Sequence, residues 1–140
     1  MTIEQIRQDL VTAISARKAS FTGGYPLLIE YDNIEEFDSQ TQVNPYLRVD
    51  IKLVDMEQSD ISDNPTHRVW GQLILGAGVK EGGGTKPANT ILMHFYPHLQ
   101  RKRHGIVTTK MATVAPVVSH LGWLYTPILI PFWGDLKYSV

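Results

Sequence analysis

The sequence predicts an α+β fold: one domain with a mainly antiparallel, mixed sheet and two helices packed on one face. Three observations carry this. Two segments place apolar residues at three- and four-residue spacing, the period of a half-buried helix. Two others alternate apolar and polar residues with period two, the mark of a strand with one face on a core. The order is helix, three strands, helix, then two or three strands, without the regular strand–helix alternation of a parallel sheet. At 140 residues and 43% apolar content the chain is one domain, residues 1–140, with enough apolar side chain for a core.

The first helix rests on Ile3, Ile6, Leu10, Ala13, Ile14 and Arg17. Thr2 is placed to cap it, and Gln5 stands three residues on, where a capping box wants its partner. Gly23, Gly24 and Pro26 follow its end near Ser20, giving about 16 residues of helix. Leu27 to Tyr31 reads as a short strand closed by Asp32-Asn33, and the acidic stretch Glu35 to Asn44 as a loop. Tyr46 to Val54 is the clearest strand. Leu47, Val49, Ile51 and Leu53 face one way, and Arg48, Asp50 and Lys52 the other. Met56 to Thr66 is a polar hairpin loop or arm. His67 to Gly78 is a second strand, with Val69, Leu73 and Leu75 on one face and Trp70, Gln72 and Ile74 on the other. Two apolar faces suit a central position, and Gly71 and Gly76 suggest a bulge or a close approach.

The second helix starts near Pro87, with Thr85 as its cap and Ala88, Ile91, Leu92, Phe95 and Leu99 as its stripe. Pro97 is expected to end it near Tyr96 or to kink it. The Arg101–His104 run places positive charge where a helix C-terminus favours it. One strand is then expected through Ile106 to Val118. Leu121 to Trp133 reads as one or two strands bent at Pro127.

Composition excludes several classes of chemistry. With no cysteine, disulfide staples, thiolate metal sites and cysteine nucleophiles are out. A formal net charge of −1 lacks the basic excess of a generic nucleic-acid binder, and a nearly neutral surface suits self-assembly. The N-terminus has no apolar core of a signal peptide, and the apolar Leu121–Trp133 stretch is too short and too interrupted by proline to span a bilayer, so no membrane partner is expected.

Each candidate for catalysis or ligand binding competes with a plainer reading. The glycine loop ahead of the second helix, Gly82 to Lys86, resembles a phosphate-binding loop. However, Thr85 precedes Lys86 where that chemistry needs lysine followed by a hydroxyl, so a linker is the better reading. His94 and His98 stand four apart, with His104 nearby, but they lack the glutamate of a zinc hydrolase helix and read as solvated residues beside a basic helix end. Glu30, Asp32, Glu35, Glu36 and Asp38 read as a charged rim rather than an acid–base pair. No serine sits in a nucleophile elbow. The short basic patch from Arg101 to His104 with Lys110 lacks an interleaved aromatic platform for single strands. No catalytic, cofactor-binding or metal-binding residue is therefore assigned, and the chain is read as a non-enzyme without a cofactor. What remains is an apolar and aromatic concentration near the C-terminus. With Trp70 and Ile74 it asks for more burial than a small domain readily supplies. Core strand and subunit or tail interface both fit this concentration, a mixture included, and Trp70, Ile74, Trp123, Tyr125 and Trp133 are the candidate interface residues.

In order and spacing the sequence resembles the tail terminator, or tail completion, proteins of long-tailed bacteriophages and prophages. The likeness rests on the Ile3–Arg17 helix, the Tyr31-Asp32-Asn33 group and the alternating YLRVDIKLV strand with its polar arm. It continues through the Gly71–Gly84 segment GQLILGAGVKEGGG, which leads into the second helix, and the ending TPILIPFW, Thr126 to Trp133. Trp133 and Pro97 depart from the pattern. The resemblance implies a structural virion protein of the tail, assembled in the host cytoplasm. It would form a ring, hexameric in that family, that caps the tail tube, ends its elongation and offers a surface to head-completion or connector proteins. Its partners would be copies of itself, the tail tube protein and those connectors, with DNA passing through the lumen without specific binding. The His67–Gly78 strand and the C-terminal strand would supply the interface between copies, and the Met56–Thr66 arm would reach a neighbour or the tube. Another tail or baseplate assembly protein, or a small phosphate- or nucleotide-binding domain using Gly82–Lys86, are the alternatives.

Overall fold

The computed structural model describes residues 3–32, 44–58, 66–82 and 84–137. Helix α1 runs Ile3–Lys18 and buries Ile6, Leu10 and Ile14, while Ile3 stays exposed at its start. Thr2, the expected cap, lies outside the described residues, as do Asn33 and the acids Glu35, Glu36 and Asp38. Strand β1 is Ile29–Tyr31, two residues shorter than expected. Strands β2, Tyr46–Gln58, and β3, Thr66–Lys80, form a long antiparallel ribbon that takes in both ends of the expected arm; residues 59–65 of that arm lie outside the described residues.

Helix α2, Lys86–Leu99, buries the whole expected stripe of Ala88, Ile91, Leu92, Phe95 and Leu99. It runs through Pro97 and ends three residues later than Tyr96, where the Gln100 N–H donates to the Tyr96 carbonyl. In the last turn a proline removes only its own bond, to the Met93 carbonyl. Thr85 occupies the cap position but makes no side-chain cap bond. Its backbone is already helical, and capping needs an extended residue to bring the hydroxyl onto the following N–H groups.

The rest is strand: β4 Arg103–His104, β5 Val107–Thr109, β6 Thr113–Val114, β7 Val118–His120 and β8 Trp123–Lys137. The sheet order is β1-β2-β3-β8-β5-β4, with β6 and β7 also pairing β8. Strand β1 runs parallel to β2, and the other pairs are antiparallel. This is a mixed, mainly antiparallel sheet, and β3 is central. The two helices cover one face and pack on each other, α2 on β3 and β8 and α1 on β4 and β5.

Two expectations about the C-terminal half are overturned for one reason. The strand expected through Ile106–Val118 is three short strands, and the strand expected to bend at Pro127 is continuous. Pro127 and Pro131 accept bonds from Ala115 and Lys110 through their carbonyls, so their missing N–H groups point to that same side, away from β3. Both stand opposite gaps, Pro127 between β6 and β7 and Pro131 between β5 and β6. Proline cannot donate to a ladder, so its neighbour strand is interrupted where it falls, while the β3 side of β8 stays intact.

The core gathers Leu47, Val49, Leu73, Leu75, Ile130 and Phe132 from the sheet with the buried faces of both helices. Leu53, expected on this face, is 45% exposed, and Val54 and Met56 are exposed beside it. The helices pack on β3, β8, β4 and β5, whereas this end of β2 lies on the border of the sheet. The bulge anticipated at glycine falls in β2, between Leu53 and Asp55, directly across from Gly71. A Cβ on Gly71 would stand 2.4 Å from the Lys52 carbonyl and 2.5 Å from the Phe132 ring, so the close approach is real.

Candidate assembly surface

The second face of the sheet is the one the helices leave uncovered, and strand register decides what stands on it. Pairing puts Tyr46, Gly78 and Tyr125 in one row, Arg48, Gly76 and Pro127 in the next, and Asp50, Ile74 and Leu129 in a third. Further along come Asp55, Trp70 and Trp133, then Glu57, Arg68 and Asp135. All five residues singled out from sequence, Trp70, Ile74, Trp123, Tyr125 and Trp133, therefore share this face. They do not share an environment. Trp123 is 2% exposed, whereas the other four are half-buried.

Trp123 belongs to an aromatic cluster at one end of the face. Its ring meets Tyr46 edge-on at 4.9 Å, and Tyr46 meets Tyr125 at 5.8 Å, with their hydroxyls hydrogen-bonded to each other. Gly78 makes this possible, since a Cβ there would press on both tyrosine rings at 3.0 and 3.2 Å. Burial, then the bond to Tyr125, pushes the Tyr46 hydroxyl far above the ordinary tyrosine pKa. The Lys80 ammonium lies 5.8 Å from the Trp123 ring.

At the other end, Arg68 is held by two bonds to Asp135, at 2.9 and 3.1 Å, and lies 4.0 Å over the Trp133 ring. The Asp135 bonds raise its already high pKa. Lys110 reaches to 4.9 Å over Trp70. The tryptophans thus present their rings beneath cations, an arrangement that keeps large apolar groups on a wet surface.

Between the two clusters lies a cleft of about 420 Å³. Its floor is Arg48, Asp50, Ile74, Gly76 and Pro127, and one wall is the β7–β8 hairpin from Val118 to Leu121. Arg48 bonds the buried Glu30 and lies 3.5 Å from Asp50, so the charges inside are already paired. The hairpin turns on Leu121 and Gly122, both at positive φ, 49° and 80°. That is the mirror-image two-residue turn, which favours Asn or Gly at its first position. A leucine there is strained, and this one is 71% exposed.

The residues considered for chemistry are engaged structurally. Asp32 receives Arg7 at 2.7 Å and the Ile51 N–H at 3.3 Å. His94 is not the solvated residue expected. Its Nε2 lies 2.6 Å from the Arg17 carbonyl, which can only accept, so that nitrogen carries the proton; Arg17 Nε donates back to the His94 carbonyl. His104 donates to the Leu99 carbonyl. His98 is exposed, and desolvation, then the positive charge of Arg17 and Lys102, lowers its pKa. No group of three potential metal ligands occurs among the described residues. In the glycine loop, a Cβ on Gly82 or Gly84 would meet nothing within 4 Å, and the Glu81 side chain accepts from Ser119 beside it. These are features of an open linker rather than of a cradle for phosphate. No described helix is long and apolar enough to cross a membrane.

No family model matches this sequence, and no curated protein matches it. Solved structures do share the fold. One, whose name states no activity, aligns over 100% of this chain and 99% of its own with a TM-score of 0.68 at 14% identity. At that identity the likeness is one of fold alone.

Sequence reasoning missed two features of this surface. One is the Arg68–Trp133–Asp135 cluster, in which Arg68 lies 67 residues from Asp135 and meets its partners only through the β3–β8 register. The other is Leu121, which reads as the start of a strand and is the tip of a hairpin. The period-two pattern of Trp70 and Ile74 was the signal for the first, and the Leu-Gly pair between two strands was a weak one for the second.

Proposed function

We propose that this chain is a structural subunit of a ring that caps the tail tube of a long-tailed phage or prophage particle, ends its growth and presents a surface to head-joining proteins. The observation that carries this reading is the sheet face without helices. It bears all five predicted interface residues, and beside it stand exposed apolar side chains from Met111 to Leu121: Met111 63%, Val114 78%, Val117 58%, Val118 53% and Leu121 71%. Five exposed apolar side chains within one eleven-residue stretch, next to aromatics under cations, support a role in contact rather than in catalysis. The order and spacing of the sequence elements support the tail terminator family within that class. Copies of the chain, the tail tube and the connector proteins are the partners, and DNA crosses the lumen without a dedicated site.

Mass in solution tests the reading. Light scattering on the full chain should show a closed oligomer, either alone or when tail tubes are added. A chain that stays monomeric at high concentration and in the presence of tubes overturns it.

A further inference from the structure

The charges of this nearly neutral chain are sorted along its length. Residues 30–63 hold ten of the 14 acids and two of the 13 Lys and Arg, while residues 82–134 hold five Lys and Arg and no acid. Among the described residues the fold carries part of that sorting into space, because β1 and β2 form one side of the sheet and β4 and β5 the side beyond β8. Among the described residues, Asp55 and Glu57 are exposed on the border strand β2, next to the exposed Val54. On the opposite border, Arg101, Lys102 and Arg103 are exposed at β4. The neighbouring charges do not cancel this. On β2 the exposed Lys52 offsets one of the two acids, and Arg68, across from Glu57, is held by Asp135; near β4 the single carboxylate of Asp9 stands against three cations.

A second observation points to the β4–β7 side independently. The two non-glycine residues at positive φ, Arg101 at 54° and Leu121 at 49°, both lie there. Arg101 follows the α2 cap, the position where glycine is favoured. Strained backbone of this kind clusters at functional sites, which suits a contact role for this border.

We infer that copies of this chain associate head to tail, the acidic β2 border of one against the basic β4 border of the next. The occupant of each border is thus a second copy. A two-fold pairing would set like charge against like, whereas a heterologous contact sets unlike against unlike on every copy, which is the contact a ring requires. This rests on the ring reading and names the surfaces that would close it.

The test is sedimentation of the full chain at low salt, with circular dichroism to confirm folding. One variant carries Asp55→Lys with Glu57→Lys, the other Arg101→Glu with Arg103→Glu. Each alone should lose association by about tenfold or more. An equimolar mixture should recover it, because every contact in an alternating assembly is again between unlike charges. Added salt should weaken the wild type as the screening length shrinks. Variants that associate like the wild type, or a mixture no better than its parts, overturn the edge assignment and leave the ring reading standing. A wild type that never associates, even at high concentration and with tail tubes added, removes both. Should a reversal variant misfold, the neutral pair Asp55→Asn with Glu57→Gln serves instead, with a smaller loss expected, and an unchanged association there also overturns the assignment.

Discussion

Gly71 shows how far single residues constrain this sheet. Its missing side chain lets the Lys52 carbonyl and the Phe132 ring close on the same point, opposite the bulge in β2. Gly71→Ala should therefore cost about 1–3 kcal/mol through overpacking against backbone that cannot move aside. Gly82→Ala meets no atom and is penalised by its positive φ alone, so about 1 kcal/mol is expected. Urea unfolding of the two variants separates space from conformation. Tyr46 offers a pH signature. Its hydroxyl is raised in the fold, so the unfolded chain ionises there first, near pH 10, and stability falls as pH rises above that point. Tyr46→Phe should flatten that fall; an unchanged alkaline slope would show that the buried hydroxyl pair is not its source. The sequence suggested a bulge or a close approach at Gly71 and Gly76; Gly71 has the close approach, whereas a Cβ on Gly76 would meet nothing nearer than 3.9 Å. The sequence did not reveal which atoms approach Gly71, because they come from strands 19 and 61 residues away.

Among the elements, both helices and the strands β2 and β3 were legible because period and burial agree over most of their length, the exposed end of β2 beyond Ile51 excepted. Of the short strands, β1 was legible and those after α2 were not. β5, β6 and β7 are defined by the gaps opposite Pro127 and Pro131, so their limits lie in a different segment from their residues. The helix pair depends on a contact that no local pattern shows. Arg17 and His94 exchange side chain-to-carbonyl bonds across 77 residues, and Phe21 packs edge-on against the His94 ring at 5.3 Å. His94→Ala removes the imidazole bond and that ring contact, leaving the bond from Arg17 to the backbone carbonyl. A loss of about 1–2 kcal/mol is expected. Hydrogen exchange should show the end of α1 losing protection before the sheet does. Loss spread evenly over the molecule would mean that α1 and the sheet open as one unit.

For the molecule as a whole, the open question is which apolar surface belongs to the fold and which to assembly. The five residues chosen from sequence share one face, but burial divides them. Trp123→Ala empties a position 2% exposed and should cost about 3–5 kcal/mol, while Trp133→Ala, on the half-buried end, should leave a folded chain. Leu121 separates stability from assembly more sharply. It occupies the first position of a mirror-image turn, at a φ of 49°, where asparagine is the favoured residue, and it is 71% exposed. Nothing in the isolated subunit's packing accounts for a leucine there. Leu121→Asn relieves the strain and should raise stability by about 1 kcal/mol, read as a higher thermal midpoint. If the hairpin tip contacts a neighbouring subunit, the same change removes an apolar anchor from that contact, and the oligomer seen by light scattering should dissociate at concentrations where the wild type holds together. A variant both more stable and fully assembled would take the hairpin tip out of the interface. A variant more stable and less assembled would show that the chain gives up some stability of the single subunit to present this side chain.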